Sequence, residues 1–111
     1  MAAYVIYARR DETDEDKSRQ YSKLVVPQIR EFGGEIVTAR GKVSVLEGEW
    51  QPKAITVLRF ESKQALMNWY QSSEYAPLKQ MRLDSNIGDF VECQLSTDQG
   101  GGKRRGEPIT T

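Results

Sequence analysis

Arg40-Gly41 is the first place in this sequence where residue types suggest chemistry. A guanidinium is always charged and presents a planar fork of donors. At the end of an apolar run, beside backbone that carries no side chain, it is suited to gripping a carboxylate or an enolate oxygen through two parallel hydrogen bonds. It is equally suited to pairing with a carboxylate at the rim of a sheet. Glu47 is available as that partner or as a general base, and is also where a loop glutamate would simply be solvated. Trp50, on a polar loop between Gly48 and Pro52, is expected either to lie across an interface or over a pocket, or to pack on its own domain. Tyr21 would put a phenol at a pocket mouth, where it can donate to a substrate oxygen, or at the edge of the core. Arg82 offers a second positive group. Cys93 reads as a small buried hydrophobe in a strand rather than a nucleophile, since no imidazole is present to activate it.

Several chemistries are excluded by what the chain does not contain. It has no histidine and one cysteine, which removes His-dependent triads, His-ligated zinc, proximal-His haem and any internal disulfide framework. No cofactor and no metal is therefore expected. Sixteen Lys and Arg balance sixteen Asp and Glu. Without a positive field to hold a polyanion, no nucleic-acid partner is expected. The glycine pairs and triplets match neither a Walker nor a dinucleotide fingerprint. The N-terminus lacks the basic start and cleavage site of a secretory signal, and no apolar run approaches the roughly 18 residues of a membrane span, so no membrane partner and a cytoplasmic location are expected.

A length of 111 residues allows one ordinary domain. Residues 96–111 read STDQGGGKRRGEPITT, with little to bury against the cost of ordering, so the domain is expected over 1–95 and a flexible tail over 96–111. Lys103, Arg104 and Arg105 in that tail are expected to be solvated.

Residues 4–8 have the β-branched and aromatic density of a strand. Thr13 is a plausible N-cap for a helix whose Tyr21, Leu24, Val25, Ile29 and Phe32 form an apolar stripe, with a kink or break at Pro27 and a stop at Gly33-Gly34. Residues 36–39 read as a strand. Residues 43–46 continue it as one bent strand or a small hairpin, and residues 55–60 form the next strand. Ser62 can cap a second helix carrying Leu66, Trp69 and Tyr70, with Trp69 in the core. A shorter helix starts at 73–75, and residues 90–95 form the last strand. The order β-α-β-β-α-β is the ferredoxin-like, split-βαβ pattern of an α+β protein with an antiparallel sheet. Tyr4 and Ile6 face one way and Val5 and Tyr7 the other, and both sets are apolar. A sheet with one open side would alternate with polar residues. A second copy of the chain is the economical cover for the second face.

The strand Tyr4-Val5-Ile6, the helix with Tyr21, Pro27 and the closing Phe32-Gly33-Gly34, Leu46-Glu47-Gly48-Glu49-Trp50, and Trp69-Tyr70-Gln71-Ser72-Ser73-Glu74-Tyr75 resemble the domain-of-unknown-function family thirteen-thirty, over about residues 3–95. That family belongs to the dimeric α/β-barrel superfamily, so the resemblance implies two ferredoxin-like subunits packed sheet to sheet. It implies no reaction. Relatives in the superfamily include cofactor-free monooxygenases, lactone isomerases and haem-degrading enzymes, and fold does not choose among them. The expectation is a small-molecule-binding homodimer, with cofactor-free proton-transfer or oxygenase-type chemistry on a phenolic, enolic or anionic substrate within its reach. The alternative is a structural or stress-related dimer whose core is filled.

Overall fold

The computed structural model describes residues 1–94. The expected tail over 96–111, its basic residues, and the domain end at 95 lie outside the described residues.

The elements are β1 (Ala3–Glu12), α1 (Glu15–Glu31), β2 (Glu35–Gly41), β3 (Ala54–Phe60), α2 (Lys63–Tyr70), α3 (Ala76–Ser85) and β4 (Asn86–Gln94). The four strands form one sheet in the order β2-β3-β1-β4. Every neighbouring pair is antiparallel. This is the ferredoxin-like α+β topology that the order of elements predicts, with β1 and β3 in the middle. The helices cover one face of the sheet. Ala3, Val5, Leu58 and Phe60, paired across β1 and β3, are buried beneath them. Trp69 is fully buried as expected, stacked on Phe60 with ring centroids 5.7 Å apart. Its indole N–H donates to Gln28 Oε1 at 3.0 Å, which ties α2 to α1.

Local chemistry sets the element ends, with some departures from expectation. The cap of α1 is Asp14, not Thr13: the Asp14 carboxylate accepts the Lys17 amide at 3.0 Å, while the Thr13 amide is used on the Ser85 carbonyl at 2.8 Å. A carboxylate is the stronger acceptor at the positive end of a helix. The helix runs through Pro27 without a break. Pro27 and Lys23, whose carbonyl loses its partner there, are both exposed, so that carbonyl has access to water. Leu24 is exposed, one position off the stripe that buries Ser18, Val25 and Ile29. Gly33 ends the helix at φ +88°, and the Gly34 amide returns to the Ile29 carbonyl at 2.9 Å. A Cβ on Gly34 would stand 2.6 Å from the Phe60 ring, so this turn needs a bare backbone to reach the sheet. Ser62 caps α2 as expected, accepting the Ala65 amide at 3.0 Å.

Residues 43–46 are not a strand. Pairing of β2 with β3 ends at Gly41 opposite Ile55, and no described strand stands beyond it. Residues 42–53 form a loop on which Leu46 and Trp50 are exposed. The last helix begins at Ala76 rather than at 73–75, because Ser72 makes a turn there: its hydroxyl donates to the Trp69 carbonyl at 2.7 Å and accepts the Tyr75 amide at 3.0 Å. β4 starts at Asn86, directly after α3, four residues earlier than the expected start at 90.

The other face of the sheet carries Tyr4, Ile6, Val57, Val91 and Cys93, in register across β3, β1 and β4. Nothing among the described residues covers it. Val91 is 51% exposed. Cys93 is exposed as well, contrary to the expectation of a buried thiol.

Candidate functional site

A chamber of about 280 Å³ lies between α1 and the helix-covered face of the sheet. Its apolar wall is built by two periodicities. Val5 and Leu58 come from alternating positions of β1 and β3, and Val25 and Ile29 from positions four apart on α1. The same spacings continue to a polar end, with Tyr7 from β1, Thr56 from β3 and Tyr21 one turn before Val25. Beyond that end is an alcove of about 40 Å³ that shares Tyr7, Tyr21, Ser22, Arg40 and Thr56 with the chamber and adds Arg9, Arg82 and Asn86. One water needs roughly 10–15 Å³, so the alcove has room for a small polar group.

Arg40 is exposed and lines both spaces, so it stands at their rim. It occupies an irregular stretch of β2, where the register with β3 shifts between Thr38 and Gly41. Its φ is +52°, which an arginine rarely adopts. Its amide donates to Thr56 Oγ1 at 3.0 Å.

Arg82 is buried on α3. Its Nε donates to the Tyr75 hydroxyl at 3.2 Å. Its guanidinium lies 4.4 Å from the Phe90 ring centroid and 5.3 Å from that of Tyr7, an arrangement that stabilises a desolvated cation. The Tyr75 and Tyr21 hydroxyls are 3.0 Å apart. Burial pushes the Tyr21 hydroxyl well above the usual phenol range, and the adjacent Tyr75 adds to the shift. Burial raises Tyr7 too, against the opposing pull of Arg82 and Arg9. Both phenols are therefore protonated at neutral pH and act as donors, not bases. The Tyr7 hydroxyl lies over Gly88, which pairs with Arg9 two residues along β1: a Cβ there would stand 2.9 Å from that hydroxyl and 2.5 Å from the Ala8 carbonyl oxygen.

Of the residues singled out in the sequence, Tyr21, Arg40 and Arg82 meet at this polar end. Trp50 and Glu47 do not: they line a separate shallow depression on the 42–53 loop, and Trp50 is 61% exposed. The sequence reading missed Tyr7, Arg9 and Tyr75. Alternation along β1 puts Arg9 on the same face as Val5 and Tyr7, which was a usable signal. Among the described residues, no group of three or more His, Cys, Asp or Glu stands where it could hold a metal ion.

The family model of a domain of unknown function, DUF1330, matches residues 2–93. The chain belongs to this family. Solved structures with the same fold include a protein of unknown function from Rhodopseudomonas palustris, 11% identical with a TM-score of 0.68 over 86% of this chain and 83% of that one. A methylated form matches at 12% identity and a TM-score of 0.69, over 88% and 83% of the two chains. An ethyl tert-butyl ether degradation (EthD) family protein from Bacillus halodurans is 8% identical with a TM-score of 0.56, over 86% of this chain and all of that one (100%). At such identities these likenesses establish the fold alone. No curated protein matches the chain. As a DUF1330 member it carries a family description that names no reaction, and no helix among its described residues is long and apolar enough to cross a membrane.

Proposed function

We propose that this DUF1330 chain binds a small organic molecule in the chamber between α1 and the sheet, and does so as a homodimer joined through the open sheet face. The chamber itself carries the reading. At about 280 Å³ it is close to the roughly 300 Å³ lower bound of small-molecule sites, and it has their usual character, apolar walls with a few convergent polar groups. It also favours a binding protein over a structural dimer with a filled core. The protonated phenols at its polar end suit stabilisation of an enolate or phenolate oxygen. They favour cofactor-free chemistry in which the protein stabilises a developing oxyanion by hydrogen bonding. A chain with a single cysteine, and so without an internal disulfide, is in keeping with a reducing, cytoplasmic setting.

The test fills the chamber. Val25→Phe should leave the fold intact by circular dichroism and abolish retention of small molecules, read by native mass spectrometry of protein incubated with a library of aromatic and aliphatic acids, amides and alcohols. Equal retention by the wild type and the filled variant would rule the chamber out as the site.

A further inference from the structure

The direction of the hydrogen bonds around Tyr75 narrows the ligand class. Tyr75 is fully buried, and its oxygen receives the Nε–H of Arg82 at 3.2 Å. Its own proton needs an acceptor, and among the described residues the one within reach is the Tyr21 oxygen at 3.0 Å. Were Tyr21 the donor instead, the Tyr75 proton would be left without a partner among Trp69, Tyr70 and other core rings, which is the costly arrangement. The chain of donation therefore runs from Arg82 to Tyr75 to Tyr21. It leaves the Tyr21 proton free to point into the chamber, whose wall that residue forms.

Two more donors converge there. The Tyr7 hydroxyl and Arg9 Nε are buried without partners. Glu12 engages Arg9 through Nη1 at 3.1 Å and leaves Nε free. Arg40 and Arg82 make no ion pair among the described residues, and no carboxylate lines either the chamber or the alcove. Orphaned donors beside uncompensated positive charge ask for an anionic acceptor, and the apolar wall asks for an apolar body behind it.

We infer that the site takes an amphipathic organic monocarboxylate, its carboxylate in the alcove against Tyr7, Tyr21, Arg9 and Arg40 and its apolar part along Val25, Ile29 and Leu58. Tyr75 and Arg82 are positioning residues that aim the Tyr21 proton. The inference rests on the chamber being a ligand site.

The experiment is a pair of isothermal titrations at neutral pH with 3-phenylpropanoate and its uncharged amide, 3-phenylpropanamide. The acid should bind about tenfold or more tightly than the amide, since a charge-assisted bond is roughly twice as strong as a neutral one. Tyr21→Phe and Tyr75→Phe should each cut that acid-to-amide ratio several-fold, weakening the acid more than the amide, with the circular dichroism spectrum unchanged. In the Tyr21→Phe background, Tyr75→Phe should cut it no further, because Tyr75 acts through Tyr21. Equal binding of acid and amide overturns the carboxylate assignment while the chamber stands as a site. Binding of neither probe at millimolar concentration overturns both. A further loss in the double variant overturns the relay. If Tyr75→Phe fails to fold, the Tyr21→Phe ratio alone decides the carboxylate assignment.

Discussion

Arg40 combines a guanidinium at the rim of the chamber with a backbone φ of +52°, so its side chain and its main chain are separable in an experiment. Arg40→Lys keeps the charge and loses the fork, and should weaken 3-phenylpropanoate by about 1–3 kcal/mol. Arg40→Ala should weaken it at least as much while changing stability by no more than about 0.5 kcal/mol, as for other exposed side chains. Titration calorimetry and thermal melting of the same protein check both halves. A loss of stability with unchanged affinity would mean that Arg40 serves the fold and not the ligand. Arg40, Tyr21 and Arg82 could be read in the sequence because a strand-end arginine before glycine, a tyrosine opening an apolar stripe and an arginine beside Met81 all stand out against their neighbours; Arg82 lies within α3 and not after it. Tyr7 sits in a run whose apolar density fits a strand buried on both faces, and only the cavity beneath α1 distinguishes wall from core. Arg9 follows that run on the face of Val5 and Tyr7, so alternation places it but does not tell a buried guanidinium from a solvated one. Trp50 shows the converse. Where a loop lies depends on contacts far away in sequence, and no local pattern places an indole over Arg40 or away from it.

Elements were legible where a single residue has a local task. Ser62 caps, Gly33 takes a left-handed turn, and Val25 and Ile29 repeat at helical spacing, all read from neighbours within a few positions. Residues 43–46 show where that logic fails. Their β propensity is real, but a strand exists only where another strand supplies its hydrogen bonds, and none of the described strands stands opposite them. The turn after α1 gives an element-scale prediction. Gly34→Ala would drive a Cβ to within 2.6 Å of the Phe60 ring and 2.8 Å of Ile29 Cγ2. It should cost about 1–3 kcal/mol by overpacking. Urea denaturation should show a lower midpoint with an unchanged slope; an unchanged midpoint would mean the α1–β2 turn yields without strain.

For the whole molecule, the open sheet face is what the proposed dimer rests on. Tyr4, Ile6, Val57 and Val91 make an apolar surface that water meets directly in a single chain, and monomers rarely leave large surfaces of that kind uncovered. Light scattering at micromolar concentration should give twice the 12.6 kDa chain mass. The interface should exceed roughly 1,000 Å² in total. Val57→Asp, which places an unpaired charge on that face, should shift the protein to the monomer, and a wild type that scatters as one chain would count against the assembly. The arrangement of β1 has a consequence for both binding events. Val5 and Tyr7 face the chamber, and Tyr4 and Ile6 face the opposite side, so one backbone thickness separates the proposed ligand site from the proposed dimer face. By reciprocity, whatever factor ligand occupancy applies to the dimer constant, dimerisation must apply to ligand affinity. Where that factor differs from one, dilution acts as an effector of the protein's own pocket, and titrations at two protein concentrations measure the coupling.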